Sequence, residues 1–101
     1  MISSNVSSIL SNQTYMNNSA QNVANVNTDG YVPLNTTVSA DSKGTTRADT
    51  SRASDTGSER SQTNLAKEMT DQMTIENVNT VNIQAIRAQN EMMGSLLDIK
   101  A

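Results

Sequence analysis

The sequence predicts an all-α chain, with N- and C-terminal helices forming an antiparallel coiled-coil-like pair joined by a long polar, largely irregular segment. Three observations predict it. Apolar residues recur every seven positions near the N-terminus, a proline-free run of good helix formers closes the chain, and no large apolar side chain occurs between Val38 and Leu65. Residues 1–30 form an N-terminal helical region, 31–63 a polar linker with a short extended start, and 64–101 a C-terminal helix.

Composition sets the terms for every element. Only 35% of the 101 residues are apolar, 2% are aromatic, and Phe and Trp are absent. Below about 70–80 usable residues a single core rarely supplies more than about 3–5 kcal/mol. Much of the stability must therefore come from neighbouring chains. Cysteine and histidine are both missing, which removes disulfides, thiolate nucleophiles, imidazole bases and the usual zinc and copper ligands. The net charge of −3, with its positive residues scattered, does not suit a phosphate-binding surface, so no nucleic-acid partner is expected. No apolar run is long enough to span a membrane. The N-terminus lacks the basic and apolar regions of a cleavable signal. The chain is thus expected either to stay in the cytoplasm or to leave by a route that reads an uncleaved N-terminus.

The first helix combines poor propensity with good periodicity. Residues 1–28 carry no charge, and 13 of them are Ser or Asn, which compete with the helix by bonding their own backbone. Yet Ile2, Ile9, Met16 and Val23 recur every seven residues, and Val6, Gln13 and Ala20 follow the first three of them by four. That spacing is an a/d seam, so the helix is expected to form only when its stripe is covered. Ser3 or Ser4 is the expected N-cap, and Asn27, Thr28, Asp29 and Gly30 the expected stop, Gly30 tolerating positive φ.

Tyr31, Val32, Pro33 and Leu34 read as a short extended piece. Ser39 to Asn64 holds Ser, Thr and charges of both signs, too little apolar surface to offset its ordering entropy. It reads as a flexible linker or solvated loop, or as a segment that orders against a partner.

From Leu65 a long helix is predicted, capped by Thr63 or Asn64, with Glu68 and Asp71 near its positive end and Lys100 at the other. At 100° per residue Val78, Val81, Ala85, Ala88, Met92, Leu96 and Ile99 form one stripe, and Ile75, Ile86, Met93 and Leu97 widen it to roughly half the circumference. One partner helix cannot cover that width. The expected assembly interface is therefore Ile2, Val6, Ile9, Met16, Ala20 and Val23 on the first helix, with Val78, Val81, Ala85, Ile86, Met92, Met93, Leu96, Leu97 and Ile99 on the second. Gly94, costing roughly 1 kcal/mol against Ala in a helix interior, is either a close-packing site or simply tolerated.

Catalytic chemistry finds little purchase. Glu68 with Asp71, or Asp98 with Lys100, could be paired in search of catalysis, but on a helix they read as solvated charges with nothing to desolvate them. The four glycines are too far apart for a phosphate loop, and Asp41, Asp49 and Asp55 lack calcium-loop spacing. No catalytic residue, metal, cofactor or small-molecule substrate is expected. Met69, Met73, Met92 and Met93 suit either an adaptable partner surface or plain packing, and both readings place them at an interface.

The stretch Asn22 to Tyr31, NVANVNTDGY, resembles the N-terminal signature of the flagellar rod, hook and hook-associated axial protein family, approximately A-N-N-[IV]-A-N-x-x-T-x-G-Y. Asn22, Val23, Ala24, Asn25, Thr28, Gly30 and Tyr31 match it in order. The C-terminal stretch is similar to that family's closing helix through Asn64, Leu65, Glu68, Met69, the mid-helix Asn82, Ile86, and the ending Glu91, Met92, Met93, Leu96 and Leu97. The position three before the mid-helix asparagine, often aromatic in the family, is Asn79 here. The resemblance implies terminal helices packed as the inner coiled coil of a tube. With so short a linking region, it implies a small proximal-rod type subunit or a reduced paralogue of one. Its implied partners are other rod or axial subunits, copies of itself and the flagellar export apparatus. Its implied location is the periplasm-spanning rod of the basal body, reached by type III export without a cleaved signal. A helical adaptor or secretion chaperone and a needle-type secretion subunit are the alternatives.

Overall fold

The computed structural model describes the backbone of residues 2–100 and the side chains of residues 2–96. Four elements follow one another: helix α1 (Ile2–Ala24), strands β1 (Leu34–Ala40) and β2 (Thr46–Arg52), and helix α2 (Leu65–Lys100). The expectation of an all-α chain is thereby corrected. The segment read as an irregular linker contains a two-stranded antiparallel sheet, paired from Leu34 with Arg52 to Ala40 with Thr46.

The hairpin forms for local reasons that apolar counting misses. Thr36, Thr37 and Val38 are β-branched and suit a pleated strand. The Asp41 carboxylate accepts from the backbone N–H groups of Lys43 (2.9 Å) and Thr45 (3.0 Å), and Gly44 takes φ of 82°, so the five-residue turn is built by one side chain and one glycine. A lone two-stranded hairpin is marginal in water, and here α1 supports one face of it. Ser7 and Ser11 hold the backbone of Thr46, the Ser7 hydroxyl accepting from its N–H at 3.1 Å and the Ser11 hydroxyl donating to its carbonyl at 2.9 Å. The Asn18 amide donates to both Thr36 Oγ1 and Thr50 Oγ1 at 2.9 Å, one residue on each strand.

Turned roughly a quarter of the way round, α1 lies antiparallel to α2. Asn82 Nδ2 donates to the Ser8 hydroxyl at 3.0 Å at one end of the contact, and Asn22 Nδ2 donates to the Glu68 carboxylate at 2.9 Å at the other. Following that register, Ile2 reaches the level of about residue 88, and the rest of α2 runs on for about 18 Å with no part of α1 beside it. The molecule is accordingly elongated, 67 Å by 25 Å by 13 Å.

The helix ends differ in detail from the sequence reading. Helix α1 already includes Ser3 and Ser4, and its regular part stops at Ala24, a turn before Asn27. Helix α2 starts as expected: the Asn64 side chain accepts from the Lys67 N–H at 3.2 Å, an N-cap bond.

Candidate functional site

Between the helices the seam is polar. On α2 the inward row is Glu68, Gln72, Ile75, Asn79, Asn82, Ile86 and Gln89, spaced alternately by three and four and all buried or half-buried. On α1 it is Ser8, Asn12, Tyr15, Ser19 and Asn22, in the same condition. Ile75, 2% exposed, is the one buried apolar residue among those described; Ser11, Asn12, Ser19, Asn22 and Glu68 are the buried polar ones. The Ser19 hydroxyl donates to the Glu68 carbonyl at 3.3 Å and accepts from Gln72 Nε2 at 3.2 Å. The Asn79 and Gln89 side-chain carbonyl oxygens are buried with no protein partner, a cost for each of about 1–3 kcal/mol unless water reaches it.

The apolar stripe of α2 points away from this seam. Val81 is 64% exposed, Met92 66% and Leu96 59%, with Val78 and Met93 also exposed, while Ala85 and Ile86 are half-buried at its edge. Together with Ala88, Glu91 and Ser95, Met92 and Leu96 line a shallow depression of about 480 Å³ on the overhanging end. The expected stripe of α1 divides: Ile2, Ile9, Met16 and Val23 are half-buried, whereas Val6 and Ala20 are exposed. The side chains of Leu97 and Ile99 lie outside the described residues. The predicted interface residues are thus mostly an outer surface, and the contact between the two helices uses residues that hydropathy does not single out. Their only sequence signal is the alternating three-and-four spacing from Glu68 through Asn82 to Gln89.

Of the motif residues, Tyr31 and Glu68 bond to Asn22, whereas Asn82 bonds Ser8 at the far end of the helix pair and Glu91 lies on the overhanging end of α2. The Asn22 side chain is 1% exposed and uses every bond an amide can make. Nδ2 donates to the Leu34 carbonyl (2.8 Å) and to Glu68 Oε1 (2.9 Å), and Oδ1 accepts from the Tyr31 hydroxyl and the Leu34 N–H, both at 2.8 Å. One residue thereby ties α1, the start of β1 and the first turn of α2. Around it the other motif positions shape the turn. Asn25 Nδ2 donates to the Gln21 carbonyl at 2.8 Å, the Thr28 hydroxyl donates to Asn25 Oδ1 at 3.0 Å, and the Tyr31 N–H donates to the Thr28 carbonyl at 3.2 Å. Gly30 takes φ of 73° with nothing within 4 Å of where a Cβ would stand, so backbone conformation and not space requires glycine. Its N–H donates to the Glu59 carbonyl at 2.8 Å, and the Gln62 N–H to that of Tyr31 at 3.0 Å. Arg52 sits over the Tyr31 ring, 5.7 Å from its centre, within cation–π range. Ala24 is exposed and has no such role.

Electrostatics at this end of α2 is local. Hydrogen bonding to Asp71 (2.8 Å) raises the Lys67 ammonium above its usual value, against an opposing effect of burial. Burial first, then a hydrogen bond to Asp71, raises the Tyr15 phenol. Among the described residues no three acidic side chains are grouped to hold a metal ion, and no helix is long and apolar enough to cross a membrane. The geometry offers hydrogen-bonded brackets between the elements and, on α2, an exposed apolar stripe.

No protein-family model and no curated protein matches the chain.

Proposed function

We propose that this chain is a structural subunit of an axial assembly of the flagellar rod type, built into a tube with other rod subunits and copies of itself. The observation that carries the reading is the inverted helix pair. Polar residues face inward between α1 and α2, and the apolar stripe from Val78 to Leu96 is left outward. A self-contained domain buries that stripe; a subunit reserves it for neighbours. The resemblance of Asn22 to Tyr31 and of the closing helix to the axial family supplies the kind of neighbour. The bonding around Asn22 gives that signature a physical purpose, since it fixes the angle at which the hairpin leaves the helix pair. Export through a narrow channel requires an unfolded chain, and a helix pair with so little apolar seam unfolds at small cost.

The test is the location of a tagged copy in cells that build flagella. Recovery with isolated basal bodies is expected, and loss of that recovery in the Val81→Asp, Leu96→Asp double variant. A copy found wholly in cytosol and membrane fractions overturns the reading.

A further inference from the structure

The step from Asp29 to Gly30 is the one place in the chain where an Asp or Asn precedes a glycine. Without a side chain, glycine lets its backbone nitrogen approach the preceding carboxyl carbon, and both residues are exposed in the turn between α1 and β1. Such a step is open to aspartate isomerisation. The Gly30 nitrogen attacks Cγ of the protonated Asp29 carboxyl, the amide proton and the carboxyl hydroxyl leave as water, and a five-membered succinimide closes. Water then opens the ring. Addition at Cγ restores aspartate, whereas addition at the backbone carbonyl breaks its bond to nitrogen and leaves the chain running through the β-carboxyl as isoaspartate. Mass and oxidation state are unchanged, and no reagent but water takes part.

In the folded chain that nitrogen is engaged. Its N–H donates to the Glu59 carbonyl at 2.8 Å, and the Gln62 N–H donates to the Tyr31 carbonyl at 3.0 Å, so the segment 59–62 is clasped over the step at two points. Arg60 and Ser61 line a recess of about 390 Å³ together with Asp29. An amide that holds its proton on a carbonyl is a poor nucleophile, and the two bonds resist the rotation that ring closure needs. We infer that Asp29 is a site of isoaspartate formation that the chain guards by folding: open while the chain is unfolded, and closed once the segment 59–62 is clasped over it. The consequence falls on the Asn22 bracket. Isoaspartate adds one backbone atom between the Asp29 Cα and the Gly30 nitrogen, which displaces Gly30 from Glu59 and Tyr31 from both Gln62 and Asn22, the last held through the Tyr31 hydroxyl at 2.8 Å. A chain that ages before it folds cannot then complete the bracket.

The test ages the full-length protein in mildly acidic buffer, where part of the carboxyl is protonated, both in urea and natively at a concentration where the helical signal has reached its plateau. A protease that cuts before aspartate and not before isoaspartate reads the product at each position. Gln62→Ala is compared with the parent, because the Gln62 side chain accepts from the Thr56 N–H at 3.1 Å and donates to Asp55 at 2.8 Å, shaping the clasping loop without touching either reacting residue. Isoaspartate is expected at Asp29 in urea and on the order of tenfold more slowly natively, since two backbone bonds must open first. Gln62→Ala should raise the native rate and leave the rate in urea unchanged, and Asp29→Glu, whose ring would need six members, should lose the product. Equal rates for the parent in urea and natively would overturn the inference, as would a product in urea that favours Asp41, Asp49 or Asp55. A folded Gln62→Ala that isomerises no faster than the parent would remove the clasp as the guard; where that variant loses its helical plateau, the parent's ratio of the two rates decides.

Discussion

Asn22 shows how much a single amide decides. Its four bonds hold the Tyr31 hydroxyl, both backbone groups of Leu34 and the Glu68 carboxylate. Asn22→Asp keeps the shape and turns the donor end into an acceptor facing a carbonyl and a second carboxylate. It is expected to cost on the order of 3–5 kcal/mol in urea unfolding of the assembled protein, because buried groups lose their partners and two carboxylates are brought together. Adding Glu68→Gln should recover part of that loss, since the new amide can donate to the carboxylate. A change within about 0.5 kcal/mol for Asn22→Asp, the size typical of an ordinary surface site, would remove Asn22 from its central place. Further along, the Asp55 carboxylate accepts from Gln62 Nε2 and from the Gly57 N–H, both at 2.8 Å, and these bonds lower its pKa from 3.8. The sign follows from a depressed carboxyl: its contribution is present above 3.8 and is lost as the pH falls through the lowered value. Lys67 behaves oppositely, with a raised pKa whose contribution is complete below 10.5 and is lost as the pH rises through that raised value. In an acid titration followed by NMR, the Gly57 and Gln62 amide signals should hold steady down to about pH 4 and move only below it.

The elements divide by what their sequence makes visible. Both helices, the Asn64 cap and the positive φ at Gly30 are legible, since periodicity and end signals act within one turn of the chain. The hairpin is not. Composition measures apolar burial, and this hairpin instead rests on an aspartate turn and on hydroxyl and amide bonds from Ser7, Ser11 and Asn18, which lie 18 to 39 residues before the groups they hold. The facing of α2 is also hidden, for a related reason. Turning the apolar side of a helix inward is sound for a chain that completes its own core. Here Asn79 and Asn82 occupy the seam while Val81 stays outside. That arrangement has a measurable consequence. Asn79→Leu replaces a buried, unpartnered carbonyl with an apolar side chain and should stabilise the isolated chain by about 1–2 kcal/mol. Ile75→Ala removes the one buried apolar side chain described and should destabilise it by about 2–5 kcal/mol. Helical signal of the dilute protein should rise for the first, and the urea midpoint of the assembled protein should fall for the second. A destabilising Asn79→Leu would mean that the seam depends on that amide.

For the whole molecule, the balance is small apolar gain against a large ordering cost. Burying Ile75 contributes roughly 1.5–3 kcal/mol and each net hydrogen bond about 1 kcal/mol, whereas fixing one backbone residue costs about 1–2 kcal/mol. A third of the 36-residue α2 has no helix beside it, so covering its outer face is expected to add to its order. Covering the outer stripe supplies what the seam omits, so folding and association are expected to proceed together. Replacing Val81 and Leu96 with Asp should abolish sedimentable assemblies while leaving the chain soluble, because both side chains already face outward. The most direct test follows helical signal at 222 nm and sedimentation across a dilution series of the purified full-length protein. Helicity is expected to be low in the dilute monomer and to rise together with the sedimenting fraction. A dilute monomer with full helicity and a cooperative, concentration-independent thermal transition would contradict it.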